Sequence, residues 1–271
     1  MVRVAACQVP LDVDDPAGTR RVVTAAVAQA ADLGARLVVL PELALCGSVF
    51  RDAAETTARA EPVTGPSVRL YRELSRRYDA VLVGGFCETS GADRPYNSAV
   101  VVDGGEVLAV YRKTHLWNLE KELFTPGDVL PPVVATRVGA VAPLICYDLA
   151  FPEVLRSVTV RGAQLVASPA NWPTGDPPVD GAAPRPYEVA KAMAGASTNH
   201  VVVVVADRVG TERGVSWVGG SVICDVDGHR LAGPELGVAT VLVADVDLDR
   251  ALDKQISPRN HVLADRRTDL Y

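Results

Sequence analysis

Arg36-Leu37-Val38-Val39-Leu40-Pro41-Glu42-Leu43 is the stretch that decides the architecture. Leu37 to Leu40 is an unbroken aliphatic run with no polar alternation. That pattern describes a strand buried on both faces, and such strands belong to sheets covered by helices. Pro41 ends the run, so Glu42 stands at the carboxyl end of a buried strand. In open α/β folds, that is where ligands bind.

The pattern extends in both directions. Upstream, Val2–Gln8 reads as a strand. Asp14-Asp15-Pro16 is a helix start signal, and Arg20–Leu33 carries apolar residues at helical spacing before Gly34 stops it. Downstream, Gly65-Pro66 opens a helix through Tyr78, and Ala80–Cys87 is the next strand. Tyr96–Val102 and Glu106–Tyr111 flank Asp103-Gly104-Gly105 as a hairpin. Arg112–Leu130 reads as a polar loop with one helical turn, and Arg137–Cys146 as a strand. Asp148 would cap a helix running through Arg161. Gln164–Ala170 is a strand, Asn171–Pro186 a Pro- and Gly-rich loop, and Tyr187–Thr198 a helix. Val201–Asp207, Val218–Val226 and Ala239–Val246 complete the strands, and Leu248–Tyr271 is polar and irregular. About ten strands mixed with four or five helices exceed what one twisted sheet carries comfortably, which predicts two packed sheets within a single domain, 1–271. No repeat or linker interrupts it.

Composition narrows the function class. With 27 Lys+Arg against 33 Asp+Glu, the net charge of −6 argues against bulk affinity for nucleic acid or an anionic membrane. The five cysteines form no CxxC or CxxH pair, so neither a zinc cage nor a dithiol redox motif is supported. No apolar run is long enough to span a bilayer, and Gln8 and Pro10 break any signal-peptide core. The expectation is a reduced, cytoplasmic protein.

Three reactive side chains follow strands: Glu42, Lys113 after Val107–Tyr111, and Cys146 after Val141–Ile145. Taken singly, each has a bland reading as a rim carboxylate, a solvated cation or a small core thiol. His115 permits a Cys–His pairing, but a packing histidine with satisfied nitrogens is the better reading. His200 and His229 have no acid–thiol context, and Cys46 and Cys224 read as core thiols.

The words around the three residues shift those odds. Tyr111-Arg112-Lys113-Thr114-His115-Leu116-Trp117 and Leu144-Ile145-Cys146-Tyr147-Asp148-Leu149-Ala150-Phe151-Pro152-Glu153 resemble signatures of the carbon–nitrogen hydrolase (nitrilase) superfamily. Pro41-Glu42-Leu43 supplies its third element, in the order Glu, Lys, Cys. The resemblance covers nearly the whole chain and includes the Asn97 strand and Phe124-Thr125-Pro126-Gly127-Asp128. It implies a four-layer α-β-β-α sandwich that pairs into homo-oligomers and acts on a small amide, and nothing in the sequence calls for a metal or organic cofactor.

The resemblance also assigns roles. Cys146 would be the nucleophile, Glu42 the acid–base and Lys113 an oxyanion donor together with the backbone N–H of Tyr147. Lys113 and the amides opening the following helix would favour the thiolate. Glu120 and Glu122 compete as a second carboxylate. The family's spacing to the turn residue, here Phe124, selects Glu120 to hold Lys113 and the substrate's amino group.

Trp117, Tyr147, Asn171, Trp172 and Trp217 come from loops expected to ring the pocket, and Arg185, Lys191 and Arg208 are candidates for pairing a substrate carboxylate. Cys146-Tyr147-Asp148 resembles the amidase-like branches, which implies an amidase. An N-carbamoyl amino acid hydrolase or nitrilase is the alternative, and a non-catalytic binding or thiol-sensing protein is the reading from a different class. One departure stands out. Gly195-Ala196-Ser197-Thr198-Asn199 lacks both charges of the Arg-Ala-x-Glu-Asn word common on the late helix, which puts the usual anchoring of that helix in doubt.

Overall fold

A computed structural model describes residues 1–91, 93–174 and 187–270. In chain order the strands are β1 (Val2–Gln8), β2 (Leu37–Val39), β3 (Val81–Glu88), β4 (Tyr96–Asp103), β5 (Glu106–Arg112), β6 (Val134–Thr136), β7 (Gly139–Pro143) and β8 (Leu165–Pro169). They continue with β9 (Val202–Ala206), β10 (Thr211–Glu212), β11 (Val215–Ser216), β12 (Val222–Cys224), β13 (Arg230–Ala232), β14 (Thr240–Val246), β15 (Gln255–Ser257) and β16 (Asn260–His261). The helices are α1 (Pro16–Asp32), α2 (Ala53–Ala58), α3 (Pro66–Tyr78), α4 (Glu120–Leu123), α5 (Pro152–Val160) and α6 (Tyr187–Asn199).

Two six-stranded sheets form, in the orders β14-β1-β2-β3-β4-β5 and β13-β12-β9-β8-β7-β6. Val4, Leu37, Val39, Val83 and Val101 of the first meet Val141, Leu165, Ala167, Val204 and Ile223 of the second in one buried cluster. This is why the aliphatic run at β2 shows no polar alternation: one face meets the other sheet and the opposite face meets helices. Val23, Val27, Val68 and Leu74 of α1 and α3 cover the outside of the first sheet. Leu155, Val158, Val189 and Ala192 of α5 and α6 cover the second. The order is α-β-β-α, the four layers implied above.

Several expectations change. The strand expected over Arg137–Cys146 shortens to β7, which starts only at Gly139, because Arg137 and Val138 form the turn that pairs β7 with the preceding β6. Asp148 does not cap a helix reaching Arg161. A 3-10 turn over Cys146–Ala150 intervenes, and α5 starts at Pro152 with no side-chain cap. The strand expected from Val218 shortens to β12, because the preceding Gly219 has φ +67° and lies outside the ladder. α2 escapes sequence reading because its six residues, three of them alanine, are too few to show an apolar period. Its local signature is Asp52, whose carboxylate accepts the Glu55 N–H at 2.8 Å. The polar tail contains β15 and β16.

The end of α6 answers the missing charged word. Lys254 Nζ donates to the carbonyls of His200 at 2.6 Å and Asn199 at 3.3 Å, and the Arg156 guanidinium donates to that of Thr198 at 2.7 Å. Cations from elsewhere in the chain thus satisfy the orphan carbonyls at the negative end of the helix.

Candidate active site

Glu42 sits in a turn after β2, and the next residue, Leu43, has φ +49°. Space for that turn comes from Gly85 on β3, where a Cβ would stand 2.3 Å from the Leu43 nitrogen. Lys113 leaves the end of β5 and is held by its backbone. Its N–H donates to the Asn97 carbonyl at 2.8 Å, and its carbonyl accepts from Gly127 N–H at 2.8 Å. Gly127 is required there, since a Cβ would lie 2.2 Å from the Arg112 carbonyl oxygen. Cys146 opens the 3-10 turn after β7 with φ +48°, a left-handed conformation that a non-glycine residue adopts at a cost of order 1 kcal/mol or more. Strained backbone thus flanks Glu42 and carries Cys146.

Lys113 Nζ lies 2.6 Å from Glu42 Oε1 and 2.6 Å from Glu120 Oε2. Lys113 and Glu42 are almost completely buried. Glu120 is partly buried at the start of α4, and its Oε2 also accepts the Trp117 N–H at 2.7 Å. Glu122 is exposed, so of the two competing carboxylates it is Glu120 that joins Lys113. Asn97 on β4 completes the group. Its Nδ2 donates to Glu42 Oε1 at 2.7 Å and to Glu120 Oε1 at 2.9 Å, and its buried Oδ1 has no partner. Sequence reading gave this residue no role of its own; the available signals were its strand's place in the family resemblance and the polar Asn97-Ser98 pair ahead of the apolar Ala99–Val102. Asn171 ties in the third segment. Its side chain donates to the Glu42 carbonyl at 3.0 Å, and its own carbonyl accepts the Cys146 thiol at 3.8 Å.

The electrostatics follow from burial. Two carboxylates and one ammonium in a dry site carry one excess negative charge, so the group takes up a proton readily. Burial pushes Glu42 up to about 7, and Glu120 adds to the shift while Lys113 and Asn97 oppose it. Burial alone would lower Lys113, but Glu120 and Glu42 outweigh it and hold the ammonium well above its usual range. Cys146 is raised well above the usual thiol value, first by burial and then by Glu42, against the pull of Lys113. Lys113 does pull toward the thiolate, as expected, but burial and Glu42 outweigh it and hold the thiol above its usual range, beside a carboxylate able to take its proton.

Asp148 joins the segments bearing Lys113 and Cys146. Its fully buried carboxylate accepts the Ile145 N–H at 3.0 Å and the Tyr111 hydroxyl at 2.8 Å, and it lies 2.8 Å from His115 Nδ1. His115 also stacks on Phe151 at 3.8 Å between ring centroids, consistent with the packing role. Tyr147 meets Phe151 edge-on at 5.0 Å and Trp117 edge-on at 4.8 Å. Trp117 remains half-exposed, whereas Trp172 is buried, its ring against Gly220 in the core shared with α5 and α6. Trp217 is also buried, under the Arg208 guanidinium at 4.7 Å. Arg208 is not a free cation for substrate, because it is fully buried and paired with Glu212 at 3.1 Å. Lys191 is exposed beside Glu188, and Arg185 lies outside the described residues. His200 is buried with Nδ1 2.6 Å from the Asp253 carbonyl, and His229 is exposed. Cys224 is a core thiol and Cys46 is half-buried.

Residues 3–253 match the carbon-nitrogen hydrolase family. The chain is 34% identical to a nitrilase of Pyrococcus abyssi, over 100% of this chain and 99% of the relative. It is 35% identical to an (R)-stereoselective amidase of a Pseudomonas species, over 79% of this chain and 74% of that one. An amidase of Nesterenkonia sp. AN1, from the nitrilase superfamily, superposes with a TM-score of 0.80 at 29% identity, covering 99% of this chain and 95% of the other. A variant of that amidase has been seen with acrylamide added to its active-site cysteine.

Proposed function

The chain belongs to the carbon–nitrogen hydrolase family, and from that premise we propose that it is an amidase, splitting the C–N bond of a small carboxamide into acid and ammonia through a Cys146 thioester. The observation that carries this reading is the buried cluster in which Lys113 bridges Glu42 and Glu120 beside a thiol.

Glu42 takes the Cys146 proton as the sulfur bonds to the amide carbon and the carbonyl electron pair moves onto oxygen. Lys113 and the Tyr147 backbone N–H stabilise that oxyanion; one such donor is worth roughly 3–4 kcal/mol in a dry site. As the intermediate collapses, the C–N bond breaks and the nitrogen takes the proton from Glu42, leaving as ammonia. Water then attacks the thioester with Glu42 again as base, and the proton returns to sulfur as the acid departs. A carboxylate near pH 7 suits both halves. Glu120 holds Lys113 and accepts from the substrate amide N–H. Tyr147 and Trp117 form the rim, Asn171 orients Cys146 and Glu42, and Trp172 backs the segment behind Asn171.

The same reading includes a homo-oligomer in a reducing, cytoplasmic setting, acting without nucleic acid or membrane. Unpaired thiols and exposed apolar residues such as Val160 and Leu252 support it. Among the described residues, no helix is long and apolar enough to cross a membrane.

Ammonia release from acetamide, hexanamide, glutamine, benzonitrile and an N-carbamoyl amino acid tests the function. Turnover of carboxamides is expected. Turnover of the carbamoyl compound or the nitrile alone would move the assignment within the family, and no turnover at high enzyme would leave a binding or thiol-sensing protein.

A further inference from the structure

We propose that Asn97 is a positioning residue of this reaction, a shared donor that locks Glu42 and Glu120 together and leaves one oxygen of Glu42 to exchange protons. The inference rests on the amidase reading above and assigns a residue that reading does not need.

The side chain is buried at 1% exposure on β4, a strand flanked on both sides by hydrogen-bonded neighbours. Its orientation is decided by chemistry. Both groups in front of it are carboxylate oxygens, which only accept, so the amide must present its NH₂ end. The two N–H bonds, 2.7 Å to Glu42 Oε1 and 2.9 Å to Glu120 Oε1, meet the two that Lys113 makes to Glu42 Oε1 and Glu120 Oε2. The four side chains therefore close a ring: Glu42 Oε1, Lys113 Nζ, the Glu120 carboxylate, Asn97 Nδ2 and back to Glu42 Oε1. The backbone of Asn97 serves the same ring by accepting from the Lys113 N–H.

The ring is asymmetric. Glu120 uses both oxygens, whereas Glu42 places both bonds on Oε1, and no described residue donates to Glu42 Oε2. Proton exchange with the thiol and the leaving nitrogen is thereby directed through Oε2. The charged and titratable groups facing Glu42 are Lys113 from the end of β5, Glu120 from α4 and Cys146 from the turn after β7. Asn97 is the neutral donor among them. Removing it strips a hydrogen bond from ionised Glu42, favours the protonated form and frees the carboxylate to rotate.

The test compares wild type, Asn97→Leu and Asn97→Ser by two pH profiles: kcat/KM for an amide, and the rate of Cys146 alkylation by iodoacetamide followed by intact mass. For Asn97→Leu, the acid limb of both profiles should move up by about one pH unit, the size expected for losing one hydrogen bond to a charged group. Asn97→Ser, which keeps one donor, should move less. A folded Asn97→Leu whose rate falls while both limbs stay in place assigns Asn97 to mere structure and overturns the proposal. Should the leucine variant fail to fold, an unmoved limb in Asn97→Ser overturns it equally. If wild type releases no ammonia from any amide yet the alkylation limb shifts, the amidase reading fails while the hold of Asn97 on Glu42 stands.

Discussion

The Tyr111 hydroxyl donates to the Asp148 carboxylate at 2.8 Å, and this bond ties the two sheets together at the site. Tyr111 precedes Lys113 by two residues on the end of β5, and Asp148 follows Cys146 by two after β7. The ammonium and the thiol are thus kept in register by a buried hydrogen bond between their own neighbours. A bond to a charged acceptor contributes about 1.5–3 kcal/mol, so Tyr111→Phe should lower unfolding free energy by that order and reduce kcat as the register loosens. Urea denaturation alongside steady-state kinetics checks it; a variant unchanged in both would show that the bond is idle.

Cys146→Ala should abolish ammonia release while the protein stays folded, because losing one sulfur leaves only a small cavity and alanine needs no different backbone. Intact mass after incubation with acrylamide should show an adduct on wild type and none on the variant. Turnover near wild type in Cys146→Ala would refute the nucleophile.

The rate should depend on pH through Glu42. Burial raises this carboxyl to about 7, and the proposed base works only when ionised. The sign follows: kcat/KM rises as pH increases through about 7 and falls below it. Glu42→Gln should remove this limb and slow both halves of the reaction, most visibly as an acyl adduct that persists on Cys146 in mass spectra. A wild-type profile flat from pH 5 to 8 would contradict the assignment, since an unperturbed Glu titrates near ~4.3.

Lys254→Met should weaken the end of α6 without touching the chemistry. The substitution removes the donor to the His200 and Asn199 carbonyls and leaves them partly unsatisfied. The expected loss of about 1–3 kcal/mol corresponds to several degrees in Tm, with kcat/KM at 25 °C kept close to wild type. A scanning thermal melt of both proteins settles it.

Trp117→Ala should raise KM for amides with bulky apolar acyl groups more than for acetamide. The indole is half-exposed and packs edge-on against Tyr147, so its removal strips apolar surface from the rim and leaves the Lys113 cluster in place. Equal effects on both substrates would place Trp117 outside the rim.

Much of this site was legible in order along the chain. Aliphatic runs ahead of Glu42, Lys113 and Cys146 mark strand ends: β2 is buried on both faces and so reads as unbroken, whereas β5 is an edge strand with Leu108 exposed and is legible only from its apolar and aromatic content. Glu120 was separable from Glu122 only by spacing to Phe124, and the structure agrees because α4 turns one of them inward and the other to solvent. Asn97, by contrast, was legible only as part of a strand that the resemblance covers, with no role of its own. Its role arises from two carboxylates 55 positions upstream and 23 downstream that meet its amide only when β3 sets the Glu42 turn after β2 close to β4 and the chain after β5 brings Glu120 back to it.

The sequence by itself predicted two packed sheets and put Glu42, Lys113 and Cys146 forward as candidates, since local pattern and strand termination are properties of neighbouring residues, while the four layers and the family followed from the resemblance of the words around those three. Only the tertiary structure decided which way these groups shift, Glu42 up to about 7 and Cys146 well above the usual thiol range, because desolvation depends on what other segments cover. It likewise committed Arg208 to Glu212 in the interior, and it made Lys254 and Arg156 the caps of α6. A cation's partner is fixed by distance in space, which spacing along the chain does not encode.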